Sequence, residues 1–274
     1  MGDLHQVIVQ NRHETGLDVV ASTLGRSQLH DISYYLPSVI PLEFDQIFLT
    51  KFIHNTGAIG LRFVFEDIED KWGRKGIKTH TLLIDPDYYN EKTAQYFIAP
   101  FINGTVNMEE DRLLTDNDFD LLPPLPVSSK FIELALCKKH VQINAKEIID
   151  PLQLIQVFAS IDRMIPPVLN YIFSFQTMVS PDDYKHYKKQ SMVFSSKKLD
   201  QAVFLEAVQN ETSEFATVRA LSEALFDLPK LRQLQQNLFK NLPERRLSLK
   251  IRWRFGIKAF SDASRSFDIK PEQR

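Results

Sequence analysis

The segment GRKGIKTHTLLID, residues 73–85, sets a histidine between two threonines inside an apolar, strand-like run. An imidazole changes charge near neutral pH, so His80 is the first candidate for a general base, with Asp67, Asp70 or Asp85 as its orienting carboxylate. Strand geometry puts Lys78, His80, Leu82 and Ile84 on one face and Ile77, Thr79, Thr81 and Leu83 on the other. A histidine beside Leu82 is more often a core residue whose ring nitrogens bond a neighbour. Two readings therefore stand: a hydrolase or transferase built on His80, or a structural motif in which Gly76, Thr79 and His80 shape the entry from turn to strand. Cys137, the lone cysteine, sits in the apolar helical stretch ELALCKKH and reads as a small buried hydrophobe rather than a nucleophile. In RRLSLKIRWRF, Leu247, Leu249, Ile251, Trp253 and Phe255 alternate with Arg246, Ser248, Lys250, Arg252 and Arg254. That pattern makes a strand with one apolar and one basic face. Such a face suits nucleic acid or an acidic protein, or it protects a sheet edge from pairing. Nucleic-acid binding would interleave aromatics with the bases; here the aromatics lie on the opposite face, so none is expected.

Other chemistries leave no mark. Only Gly256 follows Gly104, so a glycine-rich phosphate loop is missing there, and the first hundred residues hold neither a Walker nor a GxGxxG pattern. His5, His13, His30, His54, His80, His140 and His186 never pair at metal-ligand spacing, and HExxH, CxxC and GxSxG are absent. The sequence implies no metal and no cofactor.

The elements that must position these residues fall into four stretches. Residues 1–105 read as an α+β unit. His5–Val9 and Leu17–Ser22 form a hairpin around NRHETG. A helix is expected over 41–55, from Leu42, Phe44, Ile47, Phe48 and Phe52 behind Pro41. A strand follows at Ile59–Phe65, then the turn EDIEDKWGRKG, the His80 strand, and a helix after Pro86. Residues 106–127 read as a solvated acidic and proline-rich linker, the alternative being an acidic docking segment; EEDRLLTDNDFD alone holds six acids and one base. Residues 128–198 read as a small α/β unit: helices at Ser128–Lys139 and Pro151–Ile165, strands at His140–Asn144, Tyr171–Thr177 and Ser191–Ser195. Residues 199–274 read as mainly helical, with a Leu231, Leu234, Leu238 and Leu242 stripe and the basic strand at 246–255.

Composition fits a packed protein. The chain has 274 residues, 43% of them hydrophobic, and a net charge of −2, which gives no global pull toward nucleic acid or anionic lipid. A single cysteine, no secretory h-region and no long apolar run imply a cytoplasmic protein without a transmembrane segment. The locally basic tail, nine bases and four acids from Asn241 onward, ends without a capping element and suggests further domains or subunits beyond Arg274.

The series FLTKFIHNTGAIGLRFVFEDIEDKWGRKGIKTHTLLID (48–85) resembles the N-terminal domain of the bacterial GTPase-associated proteins. The likeness rests on Phe63, Phe65, Asp67, Arg74, Gly76, Ile77, Thr79, His80, Leu82, Leu83 and Ile84. It extends to Ser22 in LDVVASTL and to Pro166, Pro167, Ser174, Phe175 and Thr177 in IDRMIPPVLNYIFSFQT. Gly16 alone stands for the family's glycine-rich first hairpin. The element order is also similar to a longin-type antiparallel sheet with flanking helices, followed by a small α/β domain and helices, the layout of DENN modules. Both resemblances imply a Ras- or Rab-like small GTPase as partner. They imply a non-catalytic regulator, with guanine-nucleotide exchange as its DENN-like activity; the alternative is a scaffold or tether in a larger assembly. Exchange needs contacts to the partner's switch loops rather than a triad, which turns attention to exposed charged and aromatic anchors. The candidates are Lys71, Trp72, Arg74 and Lys75 at the turn, and Arg252 and Arg254 in the basic strand.

Overall fold

The computed structural model describes residues 4–12, 16–29, 32–36, 47–54, 56–69, 72, 75–107, 110–118, 120, 122–137, 141–144, 150–165, 173–177, 192–195, 203–204, 208, 210–213 and 216–239. Their strands are β1 (Leu4–Arg12), β2 (Gly16–Ser22), β3 (Phe48–Ile53), β4 (Ile59–Glu69), β5 (Lys75–Ile84), β6 (Val141–Asn144), β7 (Phe175–Gln176), β8 (Met192–Ser195) and β9 (Val203–Phe204). The helices are α1 (Glu91–Ile102), α2 (Ser129–Cys137), α3 (Pro151–Met164), α4 (Ala216–Glu223) and α5 (Leu228–Phe239), with a 3-10 turn at Ile32–Tyr35. The strands make one mixed sheet in the order β2-β1-β5-β4-β3-β7-β8-β6-β9. Its first five strands are antiparallel; β7, β8, β6 and β9 run parallel to one another. The two halves join where β3 pairs antiparallel with β7, so a single sheet holds residues from both sides of the 106–127 segment.

Local chemistry explains the ends of these elements. Gly16 opens β2 at φ +79°, a left-handed conformation that glycine adopts without a Cβ clash. Asn90 caps α1: its side chain accepts from the Lys92 and Thr93 amides while the Thr93 hydroxyl accepts from the Asn90 amide. Asp150 caps α3 through the Leu152 amide, with Pro151 at the first helical position. That helix ends at Ile165, which turns extended ahead of Pro166.

One sheet face packs under α1, α2 and α3. Leu49, Leu61, Phe63, Leu82, Ile84, Phe175, Met192 and Phe194 meet Phe97, Phe101, Phe131, Ile155 and Phe158 in a continuous core. On the other face Val7, Val9 and Leu83 lie under Tyr35, with Val19, Leu24 and Phe52 around them. Gly60 is a point of close approach on that face, since the ring of its cross-strand neighbour Phe52 covers the place a Cβ would take.

Residues 48–53 correct the helix expected over 41–55; residues 41–46 lie outside the described set. FLTKFI is a strand flanked by β4 and β7 and apolar on both sides, so its apolar positions mimic helical spacing. In the region expected to be mainly helical, Ala216–Glu223 and Leu228–Phe239 are helices, and Val203–Phe204 add a two-residue strand paired with β6. Residues 240–274, with the basic strand and Leu242, lie outside the described residues. The described residues of the acid-rich segment have no regular structure, but the segment is not merely solvated: Leu114 and Leu122 are buried in the main core.

Candidate functional site

His80 points into the helix-covered face and is 3% exposed. The rings of Phe97 and Phe101 meet it edge-on at 5.4 Å each. Its Nε2 lies 3.0 Å from Oε1 of Gln6 on β1. The Gln6 amide orientation is fixed from the far side: Nε2 donates to the Leu114 carbonyl and Oε1 accepts from the Leu114 amide, both at 2.9 Å. An oxygen at that place requires the proton on His80 Nε2, so the ring is a donor here. Burial, with the Lys78 ammonium as a second cause, pulls the imidazole down to about 3, and it is neutral at physiological pH. A base that weak would have to be unburied before it could take a substrate proton near neutrality. On the opposite face the Thr79 hydroxyl donates to the Tyr35 carbonyl at 3.0 Å. Gly76 is packed against the Asn11 carbonyl and Asp67 Cβ, each 3.2 Å from where a Cβ would stand.

The acidic segment is bound along this same row. Lys78 Nζ forms an ion pair with Asp111, and Gln10 Nε2 donates to the same carboxylate oxygen at 3.3 Å. The segment also braces itself. Arg112 donates twice to Asp118, at 2.8 and 2.9 Å, and through Nε to Glu110 at 2.8 Å, while Thr115 donates to Asp118 from amide and hydroxyl. The Arg112 guanidinium holds the Asp118 carboxyl well below the usual carboxylate range.

A second polar centre escaped the sequence. Lys51 on β3 is fully buried and forms an ion pair with Asp162 on α3; the Tyr89 hydroxyl donates to the other Asp162 oxygen at 2.6 Å. The Lys51 ammonium sits 4.5 Å from the Tyr89 ring centroid and 5.5 Å from that of Phe173. Burial pulls Lys51 below the usual ammonium range against the opposing pull of Asp162. Burial, then the Asp162 charge, raises Tyr89 well above the usual phenol range. The one hint in the sequence was a lysine in the middle of FLTKFI, since a charge on a strand buried on both faces needs a partner; nothing local pointed to Asp162, 111 residues away. On the far face Arg62 is buried with its guanidinium 4.3 Å from the Phe52 ring centroid, and burial pulls it down to about 9.

The partner-binding candidates are placed as follows. Trp72, in the turn between β4 and β5, is 62% exposed. Lys75 opens β5, paired in register with Glu69. Lys71, Arg74, Arg252 and Arg254 lie outside the described residues. Both the β1–β2 and β4–β5 connections fall at one end of the sheet, because Asn11 pairs with Ile77 and with Leu17. Among the described residues no group of three or more His, Cys, Asp or Glu could hold a metal ion, and no helix is long and apolar enough to cross a membrane. The chain matches no protein-family model and no curated protein.

Proposed function

We propose that this chain is a non-catalytic regulator that binds a Ras- or Rab-like small GTPase through the end of the sheet carrying Trp72 and Lys75, and that it speeds nucleotide release in a DENN-like manner. The observation that carries the reading is the exposure of Trp72. A large indole left mostly in water at a turn is the type of anchor that dominates protein–protein contacts, and a short basic segment surrounds it in the sequence. The longin-like part of the reading draws support from the five antiparallel strands backed by α1 on one face. The DENN-like part draws support from the parallel strands and helices that continue the same sheet. A non-catalytic role is further supported by His80, whose ring is committed to Gln6 and held neutral.

Purified Ras- and Rab-class GTPases loaded with a fluorescent guanine nucleotide provide the test. The expected result is association with at least one of them and faster nucleotide release on adding the protein. Association without faster release overturns the exchange reading and leaves a tether. No association with either class overturns the reading as a whole.

A further inference from the structure

Among the described residues, the segment that follows α1 meets the sheet with the Leu114 side chain in the main core and with polar groups that belong to the row around His80. Gln6 Oε1 is shared between the His80 ring and the Leu114 amide, 3.0 and 2.9 Å away. The only side-chain charge on the neighbouring β5 position of this face is Lys78, which the segment meets with Asp111. We infer that residues 110–118 form an acid-released clasp, docked on the β1–β5 face at neutral pH and detached when His80 takes up a proton.

The geometry makes the coupling specific. With the clasp shut, His80 lies between Phe97 and Phe101 and has Gln6 as its polar neighbour, so an imidazolium there has little water. Among the described residues the charged groups facing it are few. Helix α1 meets it with two phenyl rings and carries its only charges, Glu91 and Lys92, in the first turn. Strand β1 offers the neutral amides of Gln6 and Gln10, β4 offers Phe63, and β5 offers Lys78, which repels a second positive charge. The clasp itself brings Leu114 and Asp111, whose carboxylate is engaged by Lys78 and Gln10. Releasing residues 110–118 frees both Gln6 hydrogen bonds and opens the row to water, where an imidazolium is hydrated. The proton therefore favours the open form. The internal brace of Arg112, Asp118 and Thr115 lets the segment leave as a unit, since those bonds do not involve the sheet. The clasp needs no GTPase partner to open or close.

Site-resolved amide hydrogen exchange on the intact chain reads the clasp directly at the Leu114 amide, with Phe63 in β4 reporting the sheet. After correction for intrinsic exchange, Leu114 protection is expected to be insensitive to low urea, which marks a local opening. It is expected to fall roughly tenfold for each pH unit between about pH 6 and pH 4, as one proton linked to opening demands. His80→Gln keeps a donor for Gln6 Oε1 and should flatten that dependence. Asp111→Asn should lower Leu114 protection at every pH while leaving the slope. Wild type alone is sufficient if His80→Gln does not fold: a Leu114 protection that is flat with pH overturns the clasp. So does a Leu114 amide that shares the urea dependence of Phe63, because residues 110–118 then open only with the sheet. An equal pH slope in wild type and a folded His80→Gln protein also overturns it.

Discussion

Replacing Asp162 by leucine leaves the Lys51 ammonium buried without its carboxylate and takes away the acceptor of the Tyr89 hydroxyl. Both losses fall where no water reaches, because Lys51 is fully buried and Asp162 is 1% exposed. Removing one partner of a buried ion pair typically costs about 3–5 kcal/mol. A buried hydroxyl left without an acceptor adds about 1–3 kcal/mol. Asp162→Leu should therefore lose roughly 4–8 kcal/mol, enough to unfold a protein of ordinary stability. The double variant Lys51→Met, Asp162→Leu removes the buried ammonium as well and should recover most of the loss, since an apolar pair of similar volume often equals or exceeds a buried ion pair. Urea denaturation of wild type, both single variants and the double variant gives the four corners of the cycle. The reasoning is refuted if Asp162→Leu costs less than about 1 kcal/mol, or if the double variant is no more stable than the single one. Either result would mean that Lys51 reaches water or another anion once Asp162 is gone.

Two further outcomes follow from the packing and the buried imidazole. Gly60→Ala puts a Cβ within 2.4–2.7 Å of three Phe52 ring atoms, so the ring must move; a loss of about 1–3 kcal/mol is expected in thermal or urea unfolding. For global stability, the folded pKa of His80 lies near 3 and the unfolded value near 6.5, so the unfolded chain binds the extra proton. The stabilising contribution of neutral His80 is complete above pH 6.5 and is lost by about 1.4 kcal/mol for each pH unit as pH falls toward 3. Paired urea titrations of wild type and His80→Gln should diverge by that slope below pH 6.5; parallel curves would contradict the neutral, buried assignment.

The parts of the fold that were legible in the sequence are those where one period dominates. Ile59 to Phe65 alternates cleanly because β4 has chemically distinct faces, and the Lys78 to Ile84 alternation gave the correct two faces of β5. Helix α3 announced itself at both ends, by Asp150-Pro151 and by Pro166-Pro167. Strand β3 mimics helical spacing because Phe48 and Phe52 on one face and Leu49 and Ile53 on the other are all apolar, which erases the two-residue period. The short parallel strands β6, β7 and β8 fall within the stretches expected as strands, whereas Val203–Phe204, two residues long, carry no period of any kind. The docking of Leu114 on Gln6 was invisible because it spans 108 residues and uses backbone groups, which every residue shares. Composition made residues 109–120 look like a solvated connector, since six acids outweigh the buried contribution of one leucine. The Lys51–Asp162–Tyr89 centre was hidden in the same way: three ordinary residues acquire meaning only from the packing of β3 against α3.

The binding proposed above places a small GTPase at the Trp72 end of the sheet. Its most direct test compares wild type with Trp72→Ala in nucleotide-release kinetics on a responsive Ras- or Rab-class GTPase. Trp72 is mostly exposed, and parallel urea titrations measure what the substitution costs in folding stability so that both proteins are compared in the folded state. The predicted result is an acceleration of nucleotide release by wild type, and a fall of roughly tenfold or more in that acceleration with Trp72→Ala, the effect of losing an interface anchor. Equal acceleration by the two folded proteins would contradict the claim.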